Sequence, residues 1–321
     1  IKPLSLPFDL PVTMSLMLRR VRPEAVVITE VELWPNMIRA CGRQHIPVVI
    51  INARMTDRSA SRYARVSALF SPMLRTLSHV CAQGQRDYNN YLRLGLCETK
   101  LTLTQNIKFD QAATLAASGS GQFLNLHKSA RPIIVAGSTH APEETIMLQA
   151  FVQVRQSIPD ALLILVPRHP DRFEQVASLI EKAGEKVVRT SARQLISQSE
   201  SVVLLDEMGR LNEAYQVASV AFVGGSLAER GGHNALEPAA LSVPVLMGPS
   251  QFNNPDICNG LNEAGALTVV STPEALTAAM SDLFLHPAKA GKQGKAGFTM
   301  LENNRGAVAR TLACIEHVLA K

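Results

Sequence analysis

Short apolar runs of strand length punctuate the whole chain, each separated from the next by a longer, more polar segment of helical periodicity. In the first third they are residues 25–29, 48–51, 79–82 and 101–103. The pattern restarts at 132–137 and continues through 161–166, 186–189, 201–205, 219–223, 243–247 and 266–270, with helices expected at 143–156, 171–183 and 273–285. Alternation of this kind is satisfied by parallel sheets covered by helices, an α/β architecture. Residues 111–131 are polar and rich in Ala, Ser and Gly, with Ser118-Gly119-Ser120-Gly121 as the most flexible part, so a linker is expected there. The division is then a first domain over 1–110, the linker, and a second domain over 132–321. The second has enough strands for a full doubly wound sheet. The first, with about four, is short for a complete one.

Ligands of such sheets bind outside the carboxyl ends of the strands. Five strands of the second half deliver polar or glycine-rich loops there: Gly137-Ser138-Thr139-His140, Pro167-Arg168-His169-Pro170, Asp206-Glu207-Met208-Gly209-Arg210, a run from Gly224 to Pro238, and Gly248-Pro249. The run reads Gly224-Gly225-Ser226-Leu227-Ala228-Glu229-Arg230-Gly231-Gly232-His233-Asn234-Ala235-Leu236-Glu237-Pro238. Its glycines suit a strand-to-helix turn whose free N–H groups point at a ligand. Asn234 is expected to cap a helix over 234–241, with Glu237 placed to reach a pair of ribose hydroxyls. The bland alternative is a structural turn before a capped helix. Arg168 suits a phosphate, or an ion pair with Asp171. Met208 and Gly209 suit a base or ribose, or a helix start. Ser138 and Thr139 suit a phosphate or a helix cap, and His169, held between two prolines, reads as structural.

In the first half, Thr29-Glu30-Val31-Glu32-Leu33-Trp34-Pro35-Asn36 ends an apolar strand. If the strand continues, Glu30 and Glu32 share one side. A carboxylate there suits a sugar hydroxyl or a developing positive centre, or else a helix N-terminus. Lys108, where the first domain ends, suits charge on a leaving group in a cleft between domains, or an ion pair with Asp110.

Charge is uneven. Residues 1–110 hold 15 Lys and Arg against 8 Asp and Glu, although the whole chain is only +5. Arg58, Arg62 and Arg65 fall on one helical face, and the excess suggests an anionic partner such as a phosphorylated lipid or membrane surface. Aromatics are sparse among these arginines and no nucleic-acid signature is present, so no nucleic-acid partner is expected. The five cysteines are scattered without a C-x-x-C pair and the eight histidines are dispersed, so neither a disulfide framework nor a metal site is expected. The opening residues lack the charged start and apolar core of a signal peptide. With no initiating Met, the chain is expected to begin within a longer protein.

Taken together, Leu6-Pro7-Phe8-Asp9-Leu10-Pro11, Glu30-Val31-Glu32-Leu33-Trp34-Pro35-Asn36, Asn52-Ala53-Arg54, Lys108-Phe109-Asp110, Val166-Pro167-Arg168-His169-Pro170 and Gly231-Gly232-His233-Asn234-Ala235-Leu236-Glu237-Pro238 resemble the 3-deoxy-D-manno-octulosonic acid (Kdo) transferases. These are glycosyltransferases of the GT-B type, built from two Rossmann-like domains. The resemblance implies inverting transfer of Kdo from CMP-Kdo to a lipid A precursor (lipid IVA), for lipopolysaccharide, at the cytoplasmic face of the bacterial inner membrane and without a cofactor. It implies CMP contacts from Pro167, Arg168, Met208, Gly209, Arg210, Asn234, Ala235, Leu236 and Glu237, and transition-state stabilisation by Glu30 and Lys108. Family members begin with a membrane anchor and about a third of a domain not matched here. That part carries a Ser-Val-Gly-Glu motif whose glutamate is the general base. These residues hold no counterpart, so the chain by itself is expected to be inactive, or a non-catalytic CMP-binding remnant. A sugar-nucleotide epimerase on the same fold is the other reading. Departures from the family pattern are Val31 for Thr, Gln105 for Gly, Ala235 for Pro and Arg210 for Glu.

Overall fold

The computed structural model describes residues 5–30, 32–117, 122–123, 125–127 and 131–320. Val31 and the segment Ser118-Gly119-Ser120-Gly121 lie outside the described residues. The chain divides into two compact units, Ile1–Asp110 with Asn304–Lys321, and Gln111–Asn303.

Unit 1 carries four parallel strands, β1 (Val26–Thr29), β2 (Val48–Ala53), β3 (His79–Ala82) and β4 (Leu101–Leu103), in that spatial order. Strands β2 and β3 are apolar throughout most of their length because helices cover both faces, as a parallel sheet requires. At the edge, β1 buries only Ile28. The Asp9 carboxylate accepts from the amides of Asn36 (3.1 Å) and Met37 (2.9 Å), so the Leu-Pro-Phe-Asp-Leu-Pro segment caps the helix Pro35–Arg43.

The C-terminal segment belongs to unit 1, which corrects the expected run of the second domain to residue 321. The reason is Asp110. Its carboxylate accepts from the amides of Gly306 and Val308, both at 2.7 Å, and so caps the helix Ala307–Leu319. Arg310 adds bonds to the Thr104 carbonyl (3.0 Å) and to Gln105 Oε1 (2.7 Å).

The stretch expected to be a linker opens in the helix Lys108–Ala117 and continues in a short antiparallel pair, β5 (Gln122–Phe123) and β6 (Leu126–His127). Phe123 sits in the core beside Tyr215, and Arg131 is buried, donating to the carbonyls of Asp160 (2.6 Å) and Ala161 (3.2 Å). A short apolar residue inside a polar stretch carries no periodicity, so this docking was not readable. Seven parallel strands follow: β7 (Ile133–Thr139), β8 (Leu162–Pro167), β9 (Val188–Arg189), β10 (Val202–Leu204), β11 (Val220–Val223), β12 (Val245–Met247) and β13 (Leu267–Val269). Their spatial order is β13-β12-β11-β7-β8-β10-β9. Winding goes one way from β7 and the other way from β11, so the topological switch point lies between these two neighbours. Every predicted strand of this half is present.

Candidate functional site

At the switch point two strand ends nearly touch. The Gly224 amide donates to the Gly137 carbonyl (2.8 Å), and a Cβ at Gly224 would collide with the Ser138 backbone. Ser138 itself adopts φ +54, a left-handed conformation that breaks the register of β7 against β8. A Cβ at Gly137 would strike the Tyr215 hydroxyl, so this Gly leaves room for a buried Tyr beneath the site.

Three of the five polar loops line one recess. Ser138, Pro167, Arg168, Met208 and Gly209 line one recess of about 170 Å³. Arg168 is exposed and forms no ion pair with Asp171 or any other described acid. It lies near enough to Glu237 to act on its charge: burial pushes the Glu237 carboxyl above its usual range, while the Asn234 amide and the Arg168 guanidinium pull it back. The Asn234 Nδ2 donates to Glu237 Oε1 at 3.3 Å. Asn234 Oδ1 accepts from the Leu236 amide (3.2 Å), a turn that delays the helix to Leu236–Ala240, two residues later than expected. Ala235 and Leu236 are buried under this turn. Gly209 takes φ +85 with open space where a Cβ would be, and Met208 is exposed beside it. Arg210 is turned away onto its own acids, Glu207 (2.6 Å) and Glu213 (2.9 Å), with its guanidinium over the Phe123 ring.

The glycine run departs from expectation. Its amides do not point at open space. Glu143 Oε1 accepts from Ser226 (3.0 Å), Leu227 (2.8 Å) and Ala228 (3.2 Å), and Oε2 from Gly225 (2.8 Å) and His140 (2.9 Å). A buried side chain of the protein thus occupies the anion position that a glycine turn creates. Burial raises the Glu143 pKa, and the N–H groups of Gly225, His140, Leu227 and Ala228 oppose that rise. Sequence reading passed over Glu143, although His140-x-x-Glu143 at a helix start has capping-box spacing.

Also unforeseen is a histidine group beside Arg168. His140 Nε2 and His233 Nε2 are 2.9 Å apart with rings stacked, and His169 meets His140 edge-on at 5.3 Å. Burial, with neighbouring His140 and Arg168, drives the His233 pKa down to about 4, so this ring is neutral near pH 7. The His140 pKa is lowered for the same first reason.

In unit 1 the strand carrying Glu30 does not continue to Glu32. It stops at Thr29, and Glu30 takes φ +63. Glu32 instead accepts from Trp34 Nε1 at 3.0 Å. Glu30 Oε1 lies 4.0 Å from Lys108 Nζ, both side chains partly exposed. Asp110, the alternative partner for Lys108, caps the C-terminal helix. Buried Asn52, at φ +48, accepts from the Ile107 amide (3.1 Å) and so fixes the residues just before Lys108. Gln105, at φ +68, stands where a Gly is usual, and the left-handed backbone supplies the reason. Glu30, Asn52 and Gln105 thus take left-handed backbone at the carboxyl ends of β1, β2 and β4.

Two Rossmann-like units, each a parallel sheet covered by helices, have the architecture of the GT-B fold. In agreement, the UDP-GlcNAc 2-epimerase from Neisseria meningitidis superposes with a TM-score of 0.59 over 100% of this chain and 84% of its own, at 14% identity, a likeness of fold. The family pattern of 3-deoxy-D-manno-octulosonic-acid transferase (kdotransferase) matches residues 2–111. The 3-deoxy-D-manno-octulosonic acid transferase of Haemophilus influenzae is 39% identical over 98% of this chain and 74% of its own length. The C-terminal CMP-Kdo binding domain of WaaA from Acinetobacter baumannii, 32% identical, covers 60% of this chain and 97% of that domain with a TM-score of 0.52. The chain belongs to the 3-deoxy-D-manno-octulosonic acid transferase family.

Proposed function

We propose that this protein moves Kdo, with inversion, from CMP-Kdo to a phosphorylated lipid A precursor in lipopolysaccharide synthesis. The observation that carries the donor assignment is the meeting of Pro167, Arg168, Met208 and Gly209 in one recess, with Glu237 electrostatically joined to Arg168. Arg168 neutralises the cytidylate phosphate, and Glu237, oriented by Asn234, accepts from the ribose hydroxyls. Met208, Gly209 and Arg210 meet the base or ribose through backbone, since the Arg210 guanidinium is engaged with Glu207 and Glu213. Ala235 and Leu236 shape the wall that holds Glu237.

Departure of CMP leaves negative charge on its phosphate. Arg168 stabilises that charge within unit 2. The family resemblance gives transition-state stabilisation to Glu30 and Lys108 of unit 1, whose side chains lie 4.0 Å apart. The acceptor proton goes to a glutamate outside these residues, as the family resemblance implies.

The acceptor side is supported by charge and exposure in unit 1. Arg58, Arg62 and Arg65 are exposed on the helix Asp57–Arg65. The helix Pro11–Val21 and its lead-in present Phe8 (87% exposed), Val12 (69%) and Leu16 (59%) near Arg19 and Arg20. Apolar side chains flanked by arginines suit peripheral attachment to an anionic bilayer at the cytoplasmic face of the inner membrane. No helix among the described residues is long and apolar enough to cross a membrane.

Calorimetry with CMP tests the donor site. Arg168→Ala and Glu237→Ala should each weaken binding at least tenfold, the loss of one charge-assisted contact of about 1.5–3 kcal/mol. Unchanged affinity in both would refute the assignment. Transfer of labelled Kdo to lipid IVA, by this chain and by a family-length version, tests the reaction itself.

A further inference from the structure

Read along the chain, the cysteines and histidines form no metal constellation; folding makes one. His79 and Cys81 lie two apart on β3 and so face the same side of the sheet. The helix Ala307–Leu319 packs on that sheet and brings in Cys314. One donor atom from each of the three, two sulfurs and a ring nitrogen, lies within 4.8 Å of the others. Cys81 is fully buried, His79 nearly so, and Cys314 half-buried, which leaves an approach from the helix side. His79 Nε2 lies 2.9 Å from the Thr102 hydroxyl on β4, which orients the ring as an outer partner orients a ligating His.

We propose that Cys81, Cys314 and His79 bind a thiophilic divalent cation of the zinc class and thereby fasten the C-terminal helix to the sheet of unit 1. Tetrahedral zinc with two thiolates at about 2.3 Å and an imidazole at about 2.0 Å places its donors roughly 3.5–3.8 Å apart, so a contraction of at most about 1.3 Å completes the site. The two thiols release their protons to solvent as two metal–sulfur bonds form. A water enters the fourth position from the Cys314 side. The site lies in unit 1, apart from the donor recess of unit 2. It joins β3 to a helix from the far end of the sequence, so the ion closes a long loop and stabilises the folded unit.

Cobalt(II) serves as the probe, added to the full chain under reducing conditions. One equivalent should give the near-ultraviolet thiolate charge-transfer band and the visible bands of a tetrahedral site, both displaced by zinc. Cys314→Ala should weaken cobalt binding more than about tenfold, whereas Cys97→Ala, which removes an exposed thiol elsewhere, should change nothing. X-ray absorption on the zinc-loaded wild-type chain needs no variant and should count two sulfurs. Absence of the thiolate band, a band that survives Cys314→Ala at wild-type affinity, or a count of none or four sulfurs would overturn the proposal. So would recovery of Cys81 and Cys314 as a disulfide from cells whose thiols were blocked at lysis.

Discussion

Replacing Glu143 by Ala should cost more than any other single change near the donor recess. Five backbone amides lose their acceptor at once. Those of Gly225 and Ser226 are buried, and those of His140, Leu227 and Ala228 are partly buried and can turn to water. Two orphaned buried donors at about 1–3 kcal/mol each give about 2–6 kcal/mol, reduced because the carboxylate itself no longer has to be desolvated. A net loss of about 2–4 kcal/mol is expected. Glu143→Gln should fall between: its oxygen keeps the three amides now on Oε1, while its NH2 group faces those of Gly225 and His140. Trp34, the one tryptophan, lies in unit 1, so its fluorescence reports the other unit and serves as a control. The assay is therefore hydrogen exchange resolved by mass spectrometry over residues 224–237. In wild type the amides of 225–228 should exchange slowly; in Glu143→Ala they should lose protection, with Trp34 unfolding unchanged and CMP binding weakened. Slow exchange of those amides in Glu143→Ala would refute the reasoning.

Three further outcomes follow from the same geometry. Gly137→Ala drives a methyl into the Tyr215 hydroxyl and should destabilise unit 2 by about 1–3 kcal/mol; if Tyr215→Phe restores none of it in urea denaturation, the clash is misassigned. Asp110→Ala strips the cap from the helix Ala307–Leu319 and should lower unit 1 stability by about 0.5–2 kcal/mol, read by Trp34 fluorescence; a wild-type midpoint would show the cap idle. His233 titrates near 4 when folded against about 6.5 unfolded, so the unfolded chain binds more protons between those values. Its contribution is intact above about pH 6.5 and declines as pH falls toward 4, so His233→Asn should flatten that part of the melting-temperature profile. An identical acid slope in the variant would contradict the depressed value.

The strands of both sheets were legible because parallel strands are buried on both faces and read as unbroken apolar runs. The loops at their ends were legible because chemistry-bearing residues sit where strands stop. What sequence could not give were partnerships across distance. Nothing in Lys108-Phe109-Asp110 says that Asp110 caps a helix some two hundred residues later. The glycine run was recognised as an anion-binding turn, yet its anion is Glu143, from the neighbouring strand's helix. Likewise His140 and His233, or Cys81 and Cys314, become neighbours only through the order in which strands are laid down. The family resemblance reached the candidate donor residues proposed above because they lie in contiguous motifs. It did not reach Tyr215 or Glu143, which support the site from below.

The central claim is that loops from separate strands of unit 2 bind a cytidylate together. A crystal structure of the chain soaked with CMP tests it most directly. The phosphate should lie on Arg168, the ribose hydroxyls on Glu237, and the base or ribose against Met208 and Gly209. CMP bound elsewhere, or a filled recess in which Arg168 and Glu237 touch none of it, would contradict the account.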